Sequence, residues 1–162
     1  MILSRRTLLR IGGLALAGSA LPALAAEPVE IHMVGDANGS VVRFAPRGLL
    51  IAPGTTVRWR NANPGNSHTT TAYHPQNMDH PLRIPPGTKP WNSDYLLPDE
   101  TFEVTLTTPG VYDYFRIPHE MAGMVGRIVV ATKGAPVPVA AKGMEEMFPT
   151  VAAIMSQGTV DP

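Results

Sequence analysis

Apolar and polar positions alternate along much of this chain. Val57 and Trp59 share one face while Arg58 and Arg60 share the other. Phe102, Val104 and Leu106 interleave in the same way with Glu103, Thr105 and Thr107. A period of two marks a strand that is buried on one side only. Val29–Val34, Val41–Phe44, Thr56–Trp59, Val111–Ile117 and Arg127–Ala131 read as strands too, and the runs Gly35-Asp36-Ala37-Asn38-Gly39, Ala52-Pro53-Gly54 and Pro109-Gly110 read as turns. Short strands at this spacing predict an all-β antiparallel sandwich or barrel.

Two segments break the pattern. Residues 61–98 are polar and dense in Asn, His and Pro, with Trp91 among them. A connection that long inside a compact domain is functional or disordered, and Trp91 reads as an anchor that pins it. Residues 140–157 carry Met144, Met147, Phe148, Val151, Ile154 and Met155 at spacings of three and four, the stripe of an amphipathic helix. Pro149 belongs in its first turn or marks a break. The methionines of the stripe read as packing.

The first 26 residues have the layout of an export signal. Arg5, Arg6 and Arg10 precede an apolar stretch, and Ala23-Leu24-Ala25 is a small-x-small cleavage site. Ser4-Arg5-Arg6-Thr7-Leu8-Leu9 is similar to a twin-arginine motif. The expected organisation is a signal peptide over 1–26, one domain over 27–138 and a C-terminal helical extension over 139–162. Periplasmic location follows, with no membrane span in the mature protein.

Charge and composition narrow the chemistry. The 162 residues suit one domain, and thirteen Lys+Arg balance thirteen Asp+Glu. Removing the leader takes three arginines and no acid, leaving a net charge of about −3. That is no nucleic-acid footprint. Cysteine is absent, which excludes disulfides, thiolate metal ligands and thiol nucleophiles. No paired carboxylates, activated nucleophile or phosphate loop stands out, so a monomeric non-enzyme is expected.

The informative run is Gly110-Val111-Tyr112-Asp113-Tyr114-Phe115-Arg116-Ile117-Pro118-His119-Glu120-Met121-Ala122-Gly123-Met124-Val125-Gly126, with Asn66-Ser67-His68-Thr69-Thr70 upstream. It resembles the cupredoxins, the small blue-copper proteins of the plastocyanin and pseudoazurin type. Their pattern is G-x-Y-x-[FY]-x-C-x-P-H followed by G-M-x-G, with a further His after an Asn-rich turn. The resemblance runs from residue 29 to 131. It implies a Greek-key β-sandwich with a copper site, in which His68 and His119 match the imidazole ligands and Met124 matches the axial thioether. Two imidazoles and a thioether are borderline and soft donors that suit copper, Cu(I) above all. Gly123 and Gly126 are expected to let the ligand loop bend. The resemblance also implies electron carriage, with His119 at the exposed edge and a periplasmic redox or copper-handling protein as partner.

One position departs from the pattern. Arg116 stands where the family has its cysteine. A blue site needs that thiolate, and a guanidinium stays protonated with no lone pair to give. Three outcomes remain open. Arg116 swings aside to pair with Glu120 or Asp113, leaving a non-blue His68, His119 and Met124 site for Cu(I) or hydrated Cu(II). Alternatively it fills the former copper position of a metal-free interaction module. In the third case copper sits elsewhere, among His74, Met78, His80 and Met121, although His74 and His80 read more simply as solvated loop residues. His32 lies in a strand pattern and reads as structural.

Overall fold

Each alternating segment becomes a strand with its apolar side turned inward. The computed structural model describes residues 26–36, 38–39, 41–132, 134–136 and 138–161, so the signal expected over 1–26 lies outside the described residues except for Ala26. Nine strands form in chain order: β1 (Val29–Gly35), β2 (Val42–Ala45), β3 (Gly48–Ile51), β4 (Thr55–Asn61), β5 (Thr71–Ala72), β6 (Thr101–Leu106), β7 (Gly110–Phe115), β8 (Val125–Val130) and β9 (Thr159–Val160). One sheet has the order β2-β1-β4-β6 and the other β5-β7-β8-β3-β9. The pairs β1–β4 and β3–β8 are parallel, and every other pair is antiparallel. Between β2 and β7 successive strands alternate between the sheets, which makes the architecture an all-β sandwich of Greek-key type.

Ile31, Met33, Val57 and Trp59 from one sheet meet Tyr112, Tyr114, Ile128 and Val130 from the other in a continuous core. Burying side chains of this size contributes roughly 1.5–3 kcal/mol each. Trp91 anchors the long polar connection as expected. It is buried, lies 5.4 Å from the Trp59 ring and donates its indole N–H to Thr70 Oγ1 at 3.2 Å. His32 faces outward on β1, 3.5 Å from Glu30.

Gly126 sits opposite Tyr114 in the β7–β8 ladder. A Cβ there would fall 2.3 Å from the Tyr114 ring. Its role is therefore close packing, not the bend expected of it. Gly123 does supply the bend, at φ +84°.

The outer face of the β7–β8 sheet holds a second small core of Tyr73, Phe115, Val125 and Phe148. Asp113 is fully buried there, paired with Arg83 at 2.9 Å and Arg127 at 2.7 Å. Both guanidinium groups lie about 5 Å above the Phe148 ring. Arg83 donates onward to the carbonyls of Lys142 and Gly143, Arg127 to that of Pro149 and Arg47 to that of Met147. Three arginines thus clamp the C-terminal segment onto the sandwich. That segment is not one helix. A 3-10 turn over Glu145–Met147 ends at extended Phe148, and α1 (Val151–Gln157) restarts after Pro149 with Thr150 as its N-cap. Among the described residues no helix is long and apolar enough to cross a membrane.

Candidate metal centre

The two segments that carry the expected donors meet at one end of the sandwich. Ile117 N–H donates to Thr69 Oγ1 at 2.9 Å, which joins the loop after β7 to the connection between β4 and β5. The loop closes on itself as Arg116 N–H reaches the Met124 carbonyl at 3.0 Å and Met124 N–H reaches the His119 carbonyl at 3.0 Å. His68 is held by a two-way backbone pairing with Leu96, at 3.0 and 2.8 Å. Upstream, Asn61 Nδ2 bonds the carbonyls of Asn66 and Leu96, and its Oδ1 receives Asn63 N–H. The turn that precedes His68 is fastened by these amides.

The Asn63 side chain fixes the state of the His68 ring. Its Nδ2 donates to the Gly35 carbonyl at 3.0 Å, so its Oδ1 is left to accept from His68 Nε2 at 3.1 Å. The proton is then on Nε2 and the lone pair on Nδ1. His68 is fully buried, and this Nδ1 has no hydrogen-bond partner among the described residues. Burial, with help from Arg116 and His119 nearby, lowers the His68 pKa to about 4.

Arg116 turns inward and is only 3% exposed. One of its terminal nitrogens donates to His119 Nδ1, and the other reaches the Ser67 carbonyl, with Asn66 Oδ1 at 3.5 Å. Accepting from a guanidinium places the Nδ1 lone pair of His119 toward the same cation, with its proton on Nε2. Burial first, then the Arg116 charge, lowers the His119 pKa. The guanidinium fit is incomplete, since Arg116 Nε is buried without a partner. Met124 is fully buried in the sandwich core.

The expected pairing of Arg116 with Glu120 or Asp113 does not occur. Asp113 faces the other side of its sheet and is taken by Arg83 and Arg127. Glu120 accepts from Tyr73 Oη at 2.7 Å and lies 3.3 Å from His80 Nε2. His80 is thereby committed, and His74 closes its own turn by accepting Gln76 N–H at 3.1 Å. Met78 and Met121 are 61% and 92% exposed. Among the described residues no group of three or more His, Asp or Glu side chains converges as a metal site, so a centre here must use the thioether.

Comparison with known proteins agrees with this architecture. The family described as copper binding proteins, plastocyanin/azurin family, matches residues 29–131. This chain belongs to that family. The chloroplastic plastocyanin of Oryza sativa subsp. indica is 35% identical over 123 residues, covering 74% of this chain and 75% of the relative. The chloroplastic plastocyanin of Chlamydomonas reinhardtii is 34% identical over 124 residues, covering 74% and 79%. Among solved structures, a Sinorhizobium pseudoazurin superposes with a TM-score of 0.52 at 30% identity, covering 70% of this chain and 86% of the other.

For a member of this copper-binding family, the residues present divide the chemistry cleanly. A blue centre does not fit, because the sequence has no cysteine to supply its anionic sulfur. The neutral donors do fit a soft monovalent ion. Both imidazoles are in the Nε2–H form: the His119 Nδ1 lone pair is held by Arg116, and that of His68 is unsatisfied among the described residues, at a cost of about 1–3 kcal/mol. The Asn61–Asn63 amides that prepare this state are the functional residues that sequence reasoning missed. Their signal was the Asn-rich turn itself.

Proposed function

We propose that this chain is an exported copper-handling protein that holds Cu(I) with His68, His119 and Met124 and passes it to, or receives it from, a periplasmic partner. The leader with Arg5 and Arg6 supports export by the twin-arginine route. The single observation that carries the reading is the buried, unpartnered Nδ1 of His68, set bare by the bond from Nε2 to Asn63. A lone pair kept dry and unpaired is costly in a purely structural histidine. It is what a ligating imidazole requires.

Copper bound there supplies soft coordination chemistry, without the thiolate that gives the family its strong electronic coupling. The protein's own residues do the rest. Asn63 orients one imidazole, the closed loop from Arg116 to Met124 sets the other, and burial keeps water from His68 while His119 stays partly exposed. Delivery and buffering suit such a site better than rapid electron carriage.

A second reading has its own observation. The bond from Arg116 to His119 Nδ1 supports a metal-free interaction module in which the guanidinium has permanently replaced the ion. Anaerobic titration of the mature protein with chelator-buffered Cu(I) separates the two. The copper reading expects one equivalent bound, lost in both His68→Ala and His119→Ala. Absence of stoichiometric uptake by the wild type favours the module, and uptake retained by both variants overturns the assignment of ligands.

A further inference from the structure

We infer that Arg116 is the specificity-determining residue of this site, a fixed cation that admits monovalent soft ions and turns divalent ions away. The inference rests on the copper reading above and adds to it the charge class of ion accepted.

The argument begins with the acceptors of the guanidinium. One of its terminal nitrogens bonds His119 Nδ1, a lone pair that cannot serve a metal at the same time. The other bonds the Ser67 carbonyl and approaches Asn66 Oδ1, neither of which belongs to the donor set. Arg116 can therefore release His119 and keep its hold on the turn before His68. Its backbone is pinned on both sides, by its N–H to the Met124 carbonyl and by its carbonyl to His119 N–H at 3.1 Å. A short tether thus keeps the charge beside the donors whether or not the first bond is made.

Among the described residues no carboxylate pairs with that charge. Asp113 and Glu120 are engaged elsewhere, with Arg83 and Arg127 and with Tyr73 and His80 respectively. For a separation on the order of 5 Å and an effective dielectric near 20, such a cation weakens a monovalent ion by roughly a few hundredfold and a divalent ion by about the square of that. Neutral ligands bring no negative charge to offset the extra repulsion, and their own attraction for the ion is the same whichever residue stands at 116. A thiolate in this position inverts the preference, and so the single replacement changes which ion the same fold selects.

The test uses two ions that do not change oxidation state, Ag(I) and Zn(II), titrated into the mature wild type and into Arg116→Gln, with affinities read by competition against a chromophoric chelator. Softness favours Ag(I) in every variant, so the quantity of interest is the change in the Ag(I)-to-Zn(II) affinity ratio. Arg116→Gln is expected to shrink that ratio by roughly a few hundredfold, and Arg116→Lys, which keeps the charge, to leave it within a few-fold of wild type. Arg116→Met serves as a second neutral variant if the glutamine protein does not fold. An unchanged ratio in the neutral variants, with Ag(I) still bound by wild type, overturns this inference and leaves the copper reading intact. A wild type that takes neither ion, while Arg116→Gln takes both, makes the arginine a plug and overturns both. Failure of every variant to bind Ag(I) overturns the copper reading itself, and this inference with it.

Discussion

Arg116 donates a hydrogen bond to Nδ1 of His119 from the position that holds cysteine in the family pattern. A guanidinium there gives no electrons to a metal and instead takes up the lone pair of an imidazole. Around it, Asn63 orients His68, and the loop closes from Arg116 to Met124.

If His68, His119 and Met124 converge as proposed, a thiolate placed at residue 116 should complete a blue centre. Arg116→Cys with Cu(II) is expected to develop an intense blue absorption band that the wild type lacks, together with the narrow hyperfine splitting of a copper–thiolate centre in electron paramagnetic resonance. Colourless copper-loaded Arg116→Cys would mean that His68, His119 and Met124 do not converge as proposed.

Stability of the metal-free protein should depend on His68 in acid. Its pKa is about 4 when folded, with burial as the main cause, against an ordinary value near 6.5. Between those limits the unfolded chain takes up a proton that the native protein refuses, so the stabilisation is fully present above about pH 6.5 and falls away toward pH 4. Below that both states are protonated and the slope ends. Urea midpoints measured from pH 7.5 to 4 should therefore decline in wild type and flatten in His68→Asn. Equal slopes in the two proteins would place the acid sensitivity elsewhere.

How far this could be read from the chain depends on the range of the interactions involved. Alternation exposed β1, β4 and β6, because each is buried on one side and periodicity is a local property. Gly48–Ile51 escaped because three of its four residues are buried and no alternation exists to see. Thr159–Val160 is too short to carry a pattern at all. The apolar stripe near the C-terminus correctly marked packing positions, but Pro149 lacks an N–H and holds the preceding Phe148 extended, so the stripe is divided between a 3-10 turn and a seven-residue helix. The inward direction of Arg116 follows from its register with Tyr112 and Tyr114. What it bonds does not follow, because the fates of Asp113 and Glu120 are decided by Arg83, Arg127, Tyr73 and His80, up to 47 residues away. A charged Arg127 within the otherwise apolar Val125–Val130 was the visible sign of a buried ion cluster.

That cluster yields a third prediction. Asp113 is fully buried and is the carboxylate shared by Arg83 and Arg127, which also hold the carbonyls of the C-terminal segment. Asp113→Asn leaves two buried cations without their counter-charge and should cost about 3–5 kcal/mol, as removal of one member of a buried ion pair does. The loss should appear as a lower urea midpoint and as faster proteolysis within residues 140–149, before the sandwich itself is cut. A midpoint within experimental error of wild type would show that water reaches and solvates the two guanidinium groups.

The fourth prediction concerns the residue that follows His119. Glu120 accepts from Tyr73 Oη at 2.7 Å while its other oxygen lies 3.3 Å from His80 Nε2, so one carboxylate ties the ligand loop to the segment from Tyr73 to His80. Tyr73 is fully buried, and burial together with the neighbouring carboxylate pushes its phenol far above the ordinary range. The hydroxyl is therefore a permanent donor, and a bond to a charged acceptor of this kind is worth about 1.5–3 kcal/mol. Tyr73→Phe should lose most of that, and Glu120→Gln a comparable amount because it also weakens the contact with His80. The double variant should lose clearly less than the two single losses added together, since the second change removes a bond already broken. Strict additivity in denaturation experiments would show that Tyr73 and Glu120 stabilise the fold independently, and that the loop bearing His119 is held by its backbone closure alone.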